Sequence, residues 1–120
     1  MKVFDLHCDT ITECCKNCVS LYDNDMHLSL KRMEKFQEYT QIFAVWIRDE
    51  MRGEVARQYF DKVADYFYKQ IGENKNVISD FGDESETKVK AILSVEGGSA
   101  CGGTLGGLTH LYNRGVKLIT

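Results

Sequence analysis

Two short runs of almost uninterrupted apolar residues constrain the fold of this chain more than any other feature of its sequence. They are residues 41–47, Gln-Ile-Phe-Ala-Val-Trp-Ile, and residues 91–95, Ala-Ile-Leu-Ser-Val. Runs of this length are typical of strands that are buried on both faces, as in parallel sheets covered by helices. Residues 2–6 and 116–120 have the character of two further strands, so the sequence predicts four strands in all.

The segments between these strands carry helical periodicity, which predicts helical connections. Apolar residues recur at helical spacing through residues 54–71, and Asn74 lies just past the end of that segment. Weaker patterns predict helices over residues 27–39, near residues 85–89 and over residues 108–113. Because parallel strands need crossover connections, these helices support a parallel sheet with right-handed crossovers.

Two other segments lack clear periodicity and are predicted to be loops. Residues 8–25 are polar and rich in cysteine, and residues 102–107 are rich in glycine. Gly115 follows the last predicted helix, where a glycine commonly ends a helix in the left-handed conformation.

The predicted pattern is that of an α/β protein with about four parallel strands and their helices. A complete (β/α)8 barrel needs about 250 residues, and this chain has 120. Its last residues form a predicted strand, and four parallel strands leave an open sheet edge. We therefore expect either an N-terminal fragment of a larger protein or a chain that another chain completes.

The composition excludes several classes of protein. Hydrophobic residues make up 43% and charged residues 28%, which argues against a disordered chain. There is no run of about 18 apolar residues that would span a membrane. The formal charge of -3 and the lack of a basic stripe argue against a nucleic-acid partner. The N-terminus lacks a targeting signal, and the five cysteines are an odd number, so we expect a cytoplasmic protein with reduced thiols.

His7 and Asp9 form the sharpest chemical feature of the sequence. They are two residues apart at the end of the first predicted strand, within the motif Asp-Leu-His-Cys-Asp-Thr of residues 5–10. Residues at this spacing on a strand point to the same face. An imidazole and a carboxylate at the carboxyl end of a parallel strand suit zinc or another borderline divalent metal. A strand that carries a histidine without any metal is the alternative interpretation.

Glu96 is the second candidate metal ligand. It follows the apolar run 91–95 and precedes Gly97 and Gly98. A carboxylate at the end of a buried strand is costly unless it is paired or bound to a metal. An ordinary glutamate between strand and loop is the alternative.

Other residues that could bind metals have simpler interpretations. Cys15 and Cys18 form one Cys-x-x-Cys pair, but no second pair follows, so we expect reduced loop thiols. His27 and His110 are predicted to be surface residues on or beside helices. Cys8 lies between the two candidate ligands and should face the opposite side, in the layer between sheet and helices.

The motifs together resemble a known family. Residues 5–10 are similar to the opening block of the membrane (renal-type) dipeptidases, zinc metallopeptidases of the amidohydrolase superfamily. Residues 91–98 and 108–120 are similar to two later blocks, and residues 41–47 lie where these enzymes have their second strand. The resemblance extends over the whole chain, with the blocks in the family's order and spacing.

The resemblance implies that residues 1–120 are the N-terminal part of a single (β/α)8 barrel domain with two zinc ions. His7 and Asp9 would bind the first zinc, and Glu96 would bridge both ions. In the family, two ligand histidines, a substrate-binding arginine and an aspartate for proton transfer come from later strands, beyond Thr120. The family also has a more helix-forming, charged segment where this chain has the glycine-rich residues 99–107, which should weaken the following helix.

The activity implied by the resemblance is the hydrolysis of dipeptides. A hydroxide shared by the two metal ions would attack the peptide carbonyl, and zinc would stabilise the oxyanion. Glu96 would be a structural ligand that holds the ions at their working distance. The residues that set dipeptide specificity lie outside the chain, and a homodimer stays among the alternatives.

Two other functions remain open at this point. The chain could be a non-catalytic remnant or a small metal-binding module, which would fold poorly on its own. It could also be another amidohydrolase-type enzyme, such as a deaminase or nuclease, although those more often open with His-x-His.

Overall fold

Five parallel strands form one sheet in the computed structural model, which describes residues 1–120. The strands are β1 (Lys2–Cys8), β2 (Glu38–Trp46), β3 (Ile78–Asp80), β4 (Val89–Glu96) and β5 (Val116–Ile119). The helices are α1 (Thr10–Asn17), α2 (Leu30–Met33), α3 (Gly53–Glu73) and α4 (Leu105–Asn113), with a 3₁₀ turn at Ser99–Cys101. None of the helices has both the length and the apolar character that crossing a membrane requires.

Strand β4 is the central strand of the sheet. Its first edge pairs with β2 along its whole length, from Val89 opposite Tyr39 to Glu96 opposite Trp46. Its second edge is shared, because β3 pairs with its beginning and β5 pairs with its end. Strand β1 pairs with the other edge of β2, so the order begins β1, β2, β4. Strands β3 and β5 follow one another along the second edge of β4.

The main core lies between one face of the sheet and the long helix α3. Phe60, Val63 and Phe67 lie on one stripe of α3 and are at most 1% exposed. The ring of Phe67 meets the ring of Phe43 from β2 edge to face, with centroids 5.8 Å apart. This edge-to-face contact is a favourable geometry for two buried aromatic rings.

The strongest sequence patterns are confirmed by the structure. All but the last residue of the apolar run 41–47 falls in β2, the run 91–95 falls in β4, and the periodic segment 54–71 falls in α3. Asn74 is the C-cap residue of α3. Gly115 has φ +90°, the left-handed conformation expected of it.

The prediction of a loop over residues 8–25 is wrong for its first part, which contains α1. The buried side of this helix is formed by Ile11, Cys14 and Cys15, at helical spacing. Buried cysteine behaves as a small apolar residue. Counted as apolar, Cys14 and Cys15 complete the amphipathic pattern of a helix, whereas counted as polar they hide it.

The prediction of a helix over residues 27–39 is correct only for the single turn Leu30–Met33. The chain then turns, and the amide of Gln37 donates to the carbonyl of Met1 at 3.0 Å. This bond starts the pairing of β2 with β1, so strand pairing takes over where local periodicity would continue the helix.

The prediction of a helix near residues 85–89 is also wrong, and the short strand β3 lies before this segment. The Lys90 ammonium donates to the Ser79 hydroxyl at 2.9 Å and to the Asp83 carbonyl at 3.1 Å, and it also contacts the Ser85 carbonyl. A lysine that serves three acceptors in this way holds the segment as a loop over the sheet.

The prediction of a loop over residues 102–107 is wrong at its end, because α4 begins at Leu105. Gly107 is buried where α4 crosses the 3₁₀ turn, and a Cβ built on it would lie 1.7 Å from the carbonyl oxygen of Cys101. Glycine is therefore required at this position for close approach of two backbones. By contrast, a Cβ on Gly106 would have only the Thr104 hydroxyl within 4 Å, at 3.9 Å.

These two glycines give a matched pair of variants. We expect Gly107→Ala to lower the free energy of unfolding by about 1–3 kcal/mol, because the backbones must separate. Gly106→Ala should raise it by up to about 1 kcal/mol, since alanine favours helix over glycine. Urea unfolding followed by circular dichroism measures both. Equal effects of the two substitutions would contradict the close approach at Gly107.

Candidate metal centre

An extra residue in β1 positions His7. Asp5 pairs with Gln41 and Cys8 pairs with Phe43, so three steps along β1 match two steps along β2. This is a β-bulge, which re-aims the side chains that follow it. Cys8 joins the core beside Phe43, as the sequence predicts, and the neighbouring His7 is exposed outside the core.

The side chain of Asp5 braces this bulge from two sides. The amide of His7 donates to Asp5 Oδ1 at 3.2 Å, and the hydroxyl of Tyr39 donates to Asp5 Oδ2 at 3.3 Å. Burial raises the pKa of Tyr39, and the negative charge of Asp5 acts in the same direction. The phenol of Tyr39 therefore stays a neutral hydrogen-bond donor. Its bond to Asp5 ties the bulge that carries His7 to β2.

Asp9 is the N-cap residue of α1, but its carboxylate does not cap the helix. An aspartate at this position ordinarily accepts a bond from a backbone amide of the first turn. Here the side chain makes no such bond. The hydroxyl of Thr12 instead donates to the carbonyl oxygen of Asp9 at 2.7 Å and fixes its backbone. The carboxylate is thus left free to face His7.

Glu96 is the last residue of β4 and lies in register with Trp46 at the end of β2. The next residue, Gly97, has φ +81°, a conformation that residues other than glycine adopt only with strain. Its amide donates to the carbonyl of Thr120 at 2.7 Å. The chain therefore turns sharply away after Glu96 and leaves its carboxylate at the edge of the sheet.

The structure brings these three side chains together at the carboxyl edge of the sheet. His7 Nε2 lies 3.4 Å from Asp9 Oδ1 and 3.3 Å from Glu96 Oε2. One potential ligand atom from each residue falls within 4.8 Å of the other two, and no other group of three or more such residues converges in the chain. His7 and Asp9 meet across the turn between β1 and α1, because Asp9 lies beyond the strand end.

The geometry and chemistry of this cluster fit a divalent metal. Zinc bonds nitrogen and oxygen at about 2.0–2.2 Å, which places neighbouring ligands of a tetrahedral ion about 3.3–3.6 Å apart. The two measured separations are 3.4 Å and 3.3 Å. The side chains are 43%, 57% and 43% exposed, so one side of the cluster is open. Three protein ligands beside an open position are typical of catalytic rather than structural metal sites.

A pocket of about 760 Å³ adjoins the cluster and is lined by His7, Asp9, Asp25 and His27, among others. His27 is exposed, as the sequence predicts, but it faces the same space as His7. Nothing in the sequence signals this proximity, because the segment that carries His27 has no regular structure.

His110 is held in a contact between helices. Its Nε2 lies 2.7 Å from Asp61 Oδ1 on α3, and Arg114 also lies 3.5 Å from that oxygen. The His110 side chain is 35% exposed, so it is half-buried and only partly matches the surface position expected of it. Its role in the structure is to join α4 to α3.

The Cys-x-x-Cys pair lies in α1 and at its end. Cys15 is buried, and Cys18 is exposed at the C-cap with φ 53°. Neither residue belongs to a converging group of potential metal ligands.

Burial raises the pKa of Cys8 to about 12 and that of Cys14 to about 11, so both thiols stay protonated near neutral pH.

Comparisons with known proteins agree with these observations. A family model described as membrane dipeptidase (peptidase family M19) matches residues 1–120. A solved metallopeptidase from Rhodobacter sphaeroides, liganded with a phosphinate mimic of the dipeptide L-Ala-D-Ala, aligns with a TM-score of 0.81 at 18% identity. The alignment covers 99% of this chain but only 44% of that one. The predicted fold class, a partial (β/α)8 barrel, is confirmed. No curated protein matches the sequence significantly.

The cysteine environments predict the order of thiol reactivity. At pH 8, Cys18 should react fastest with iodoacetamide, and Cys8 and Cys14 should react only after unfolding, because the thiolate is the reactive form. Peptide mass spectrometry measures each site, with labelling in urea as the control. Added zinc should leave the labelling of Cys18 unchanged. Protection by zinc would contradict our interpretation of the Cys-x-x-Cys pair as free thiols.

Proposed function

Because this chain belongs to the membrane dipeptidase family, peptidase family M19, we propose that its protein hydrolyses dipeptides with a zinc-dependent site. Family membership supports a hydrolase of the metallopeptidase class. The convergence of His7, Asp9 and Glu96 at the carboxyl edge of a parallel sheet is the observation that carries the proposal. In α/β barrels this edge is where active sites are built.

We propose that His7 and Asp9 hold one zinc ion and that Glu96 is shared between this ion and a second one. The donor set of one imidazole and two carboxylates suits zinc. When bound, zinc supplies Lewis acidity that polarises a carbonyl group and makes water nucleophilic at neutral pH. Glu96 would thus act as a ligand and not as the nucleophile.

The chain's own residues would prepare this site before any substrate arrives. Asp5 and Tyr39 hold the bulge that carries His7, and Thr12 fixes the backbone of Asp9. Ligands whose orientation is fixed by neighbouring hydrogen bonds bind metal better than freely rotating ones. The pocket beside His7 and Asp9 offers room for a molecule the size of a dipeptide.

The substrate class is also part of the proposal. The Rhodobacter sphaeroides structure contains a mimic of L-Ala-D-Ala, and this suggests small dipeptides as the first substrates to test. The chain spans 44% of that protein's length. Hydrolysis is therefore proposed for the whole protein in which this chain occurs.

A metal-binding module without turnover is the second candidate function. It is favoured by one observation, namely that this chain supplies only one group of three ligand side chains. Two zinc ions that share one ligand would need further ligands beyond these three. Metal binding and hydrolysis must therefore be measured separately.

Glu96→Gln tests the proposed centre, because it keeps the shape of the side chain and removes its charge. We expect zinc affinity, measured by isothermal titration calorimetry, to fall at least tenfold, since even residues that only support a ligand are worth about 10–100-fold. Glu84→Gln is the matched control, because Glu84 is exposed and takes part in no ion pair. Its zinc affinity should equal that of the unchanged chain.

Hydrolysis is followed with L-Ala-D-Ala and L-Ala-L-Ala by release of free alanine in the presence of zinc. Glu96→Gln should abolish turnover where the unchanged protein shows it. Zinc binding without turnover in the unchanged protein would favour the metal-binding module. Unchanged zinc affinity in Glu96→Gln would remove Glu96 from the site.

A further inference from the structure

A second pocket, of about 310 Å³, lies between α1, the end of β2 and α3. Three basic residues from three different segments line it, namely Lys16 of α1, Arg48 after β2 and Lys62 of α3. The sequence gives no sign of this grouping, because the residues lie far apart along the chain and meet only through packing. The pocket shares Glu13 with the larger pocket beside the candidate metal centre.

The three basic side chains of this pocket lack acidic partners. None of them forms an ion pair within 4.0 Å, although seven lysine or arginine pairs with carboxylates occur elsewhere in the chain. Glu13 is the only acidic residue in the lining, so the pocket carries a net positive charge. The chain as a whole has a formal charge of -3, and this local excess of positive charge therefore stands out.

Two of the charges act on groups in the same pocket. Burial raises the pKa of Cys15, and the charge of Lys62 opposes that shift. Burial also raises the pKa of Tyr59, and the charge of Arg48 acts in the opposite direction. Lys62 and Arg48 line the same pocket as Cys15 and Tyr59.

The rest of the lining includes apolar and aromatic side chains. Trp46, Met51, Tyr59 and Val63 line it together with the basic residues. Sites for small molecules typically combine such apolar walls with a few polar groups, at volumes of about 300–1,000 Å³. The guanidinium of arginine matches the planar geometry of a carboxylate, and lysine adds a point charge.

We propose that this pocket binds a small organic anion, a carboxylate joined to an apolar or aromatic group. Arg48 and Lys62 would hold the carboxylate, and Trp46 and Tyr59 would contact the apolar part. The proposal does not depend on the metal centre, because its residues are separate from His7, Asp9 and Glu96.

The test uses the full chain in EDTA, so that no metal ion attracts the anion. Phenylacetate is titrated into the ¹⁵N-labelled chain. The backbone amide chemical shifts of residues around Arg48 and Lys62 should change with phenylacetate concentration and reach a plateau. The neutral phenylacetamide should bind about tenfold more weakly, because it lacks the charge-assisted contacts.

The variants Arg48→Gln and Lys62→Gln should each weaken the binding of phenylacetate about tenfold. Lys75→Gln is the matched control, because Lys75 is exposed, lies outside the pocket and loses the same charge. Because Arg48 and Lys62 are also exposed, we expect both variants to keep the fold, and circular dichroism checks this. Equal affinity for phenylacetamide, or an affinity for phenylacetate that is unchanged in both variants, would overturn the proposal. Inorganic phosphate that binds as tightly as phenylacetate would overturn the role of the aromatic wall.

Discussion

The pairing of β4 along both of its edges is the interaction on which the rest of the structure depends. Strand β2 occupies one edge, and β3 and β5 divide the other between them. Its residues Val89, Ala91 and Val95 are fully buried in the main core. Because β4 cannot shift without breaking three pairings, its last residue, Glu96, is held in register with Trp46 at the end of β2. The position of one candidate ligand thus follows from the most constrained strand of the sheet.

The parts of the fold that the sequence predicts are those in which local pattern and tertiary packing agree. Strands β2 and β4 are long and apolar, and α3 repeats its apolar positions over 21 residues. Helix α1 is missed because its buried side contains Cys14 and Cys15, whose apolar behaviour appears only on burial. Strand β3 has three residues, too few for any periodicity, and it exists because β4 offers it an edge.

The same distinction applies to the candidate metal centre. The residue types of His7, Asp9 and Glu96, and their positions after predicted strands, are enough to nominate them from the sequence. Their mutual geometry is not, because it depends on an extra residue in β1 and on a helix cap that leaves its carboxylate free. The basic pocket of Lys16, Arg48 and Lys62 is beyond sequence reasoning altogether, since it arises from the packing of three separate segments.

The bulge in β1 has a consequence for which sequence changes this region can accept. Between Asp5 and Cys8 the number of residues matters as well as the identity of His7, because the count decides whether the bulge forms. Leu6 is 68% exposed, so many residue types could replace it with little effect. Deleting it would leave two steps from Asp5 to Cys8 against two from Gln41 to Phe43, so the bulge would disappear while Cys8 stayed opposite Phe43. Such a deletion would therefore spare the core and act on the imidazole, because His7 would become an ordinary strand residue that no extra residue re-aims. Point substitutions at Leu6 would leave the bulge in place.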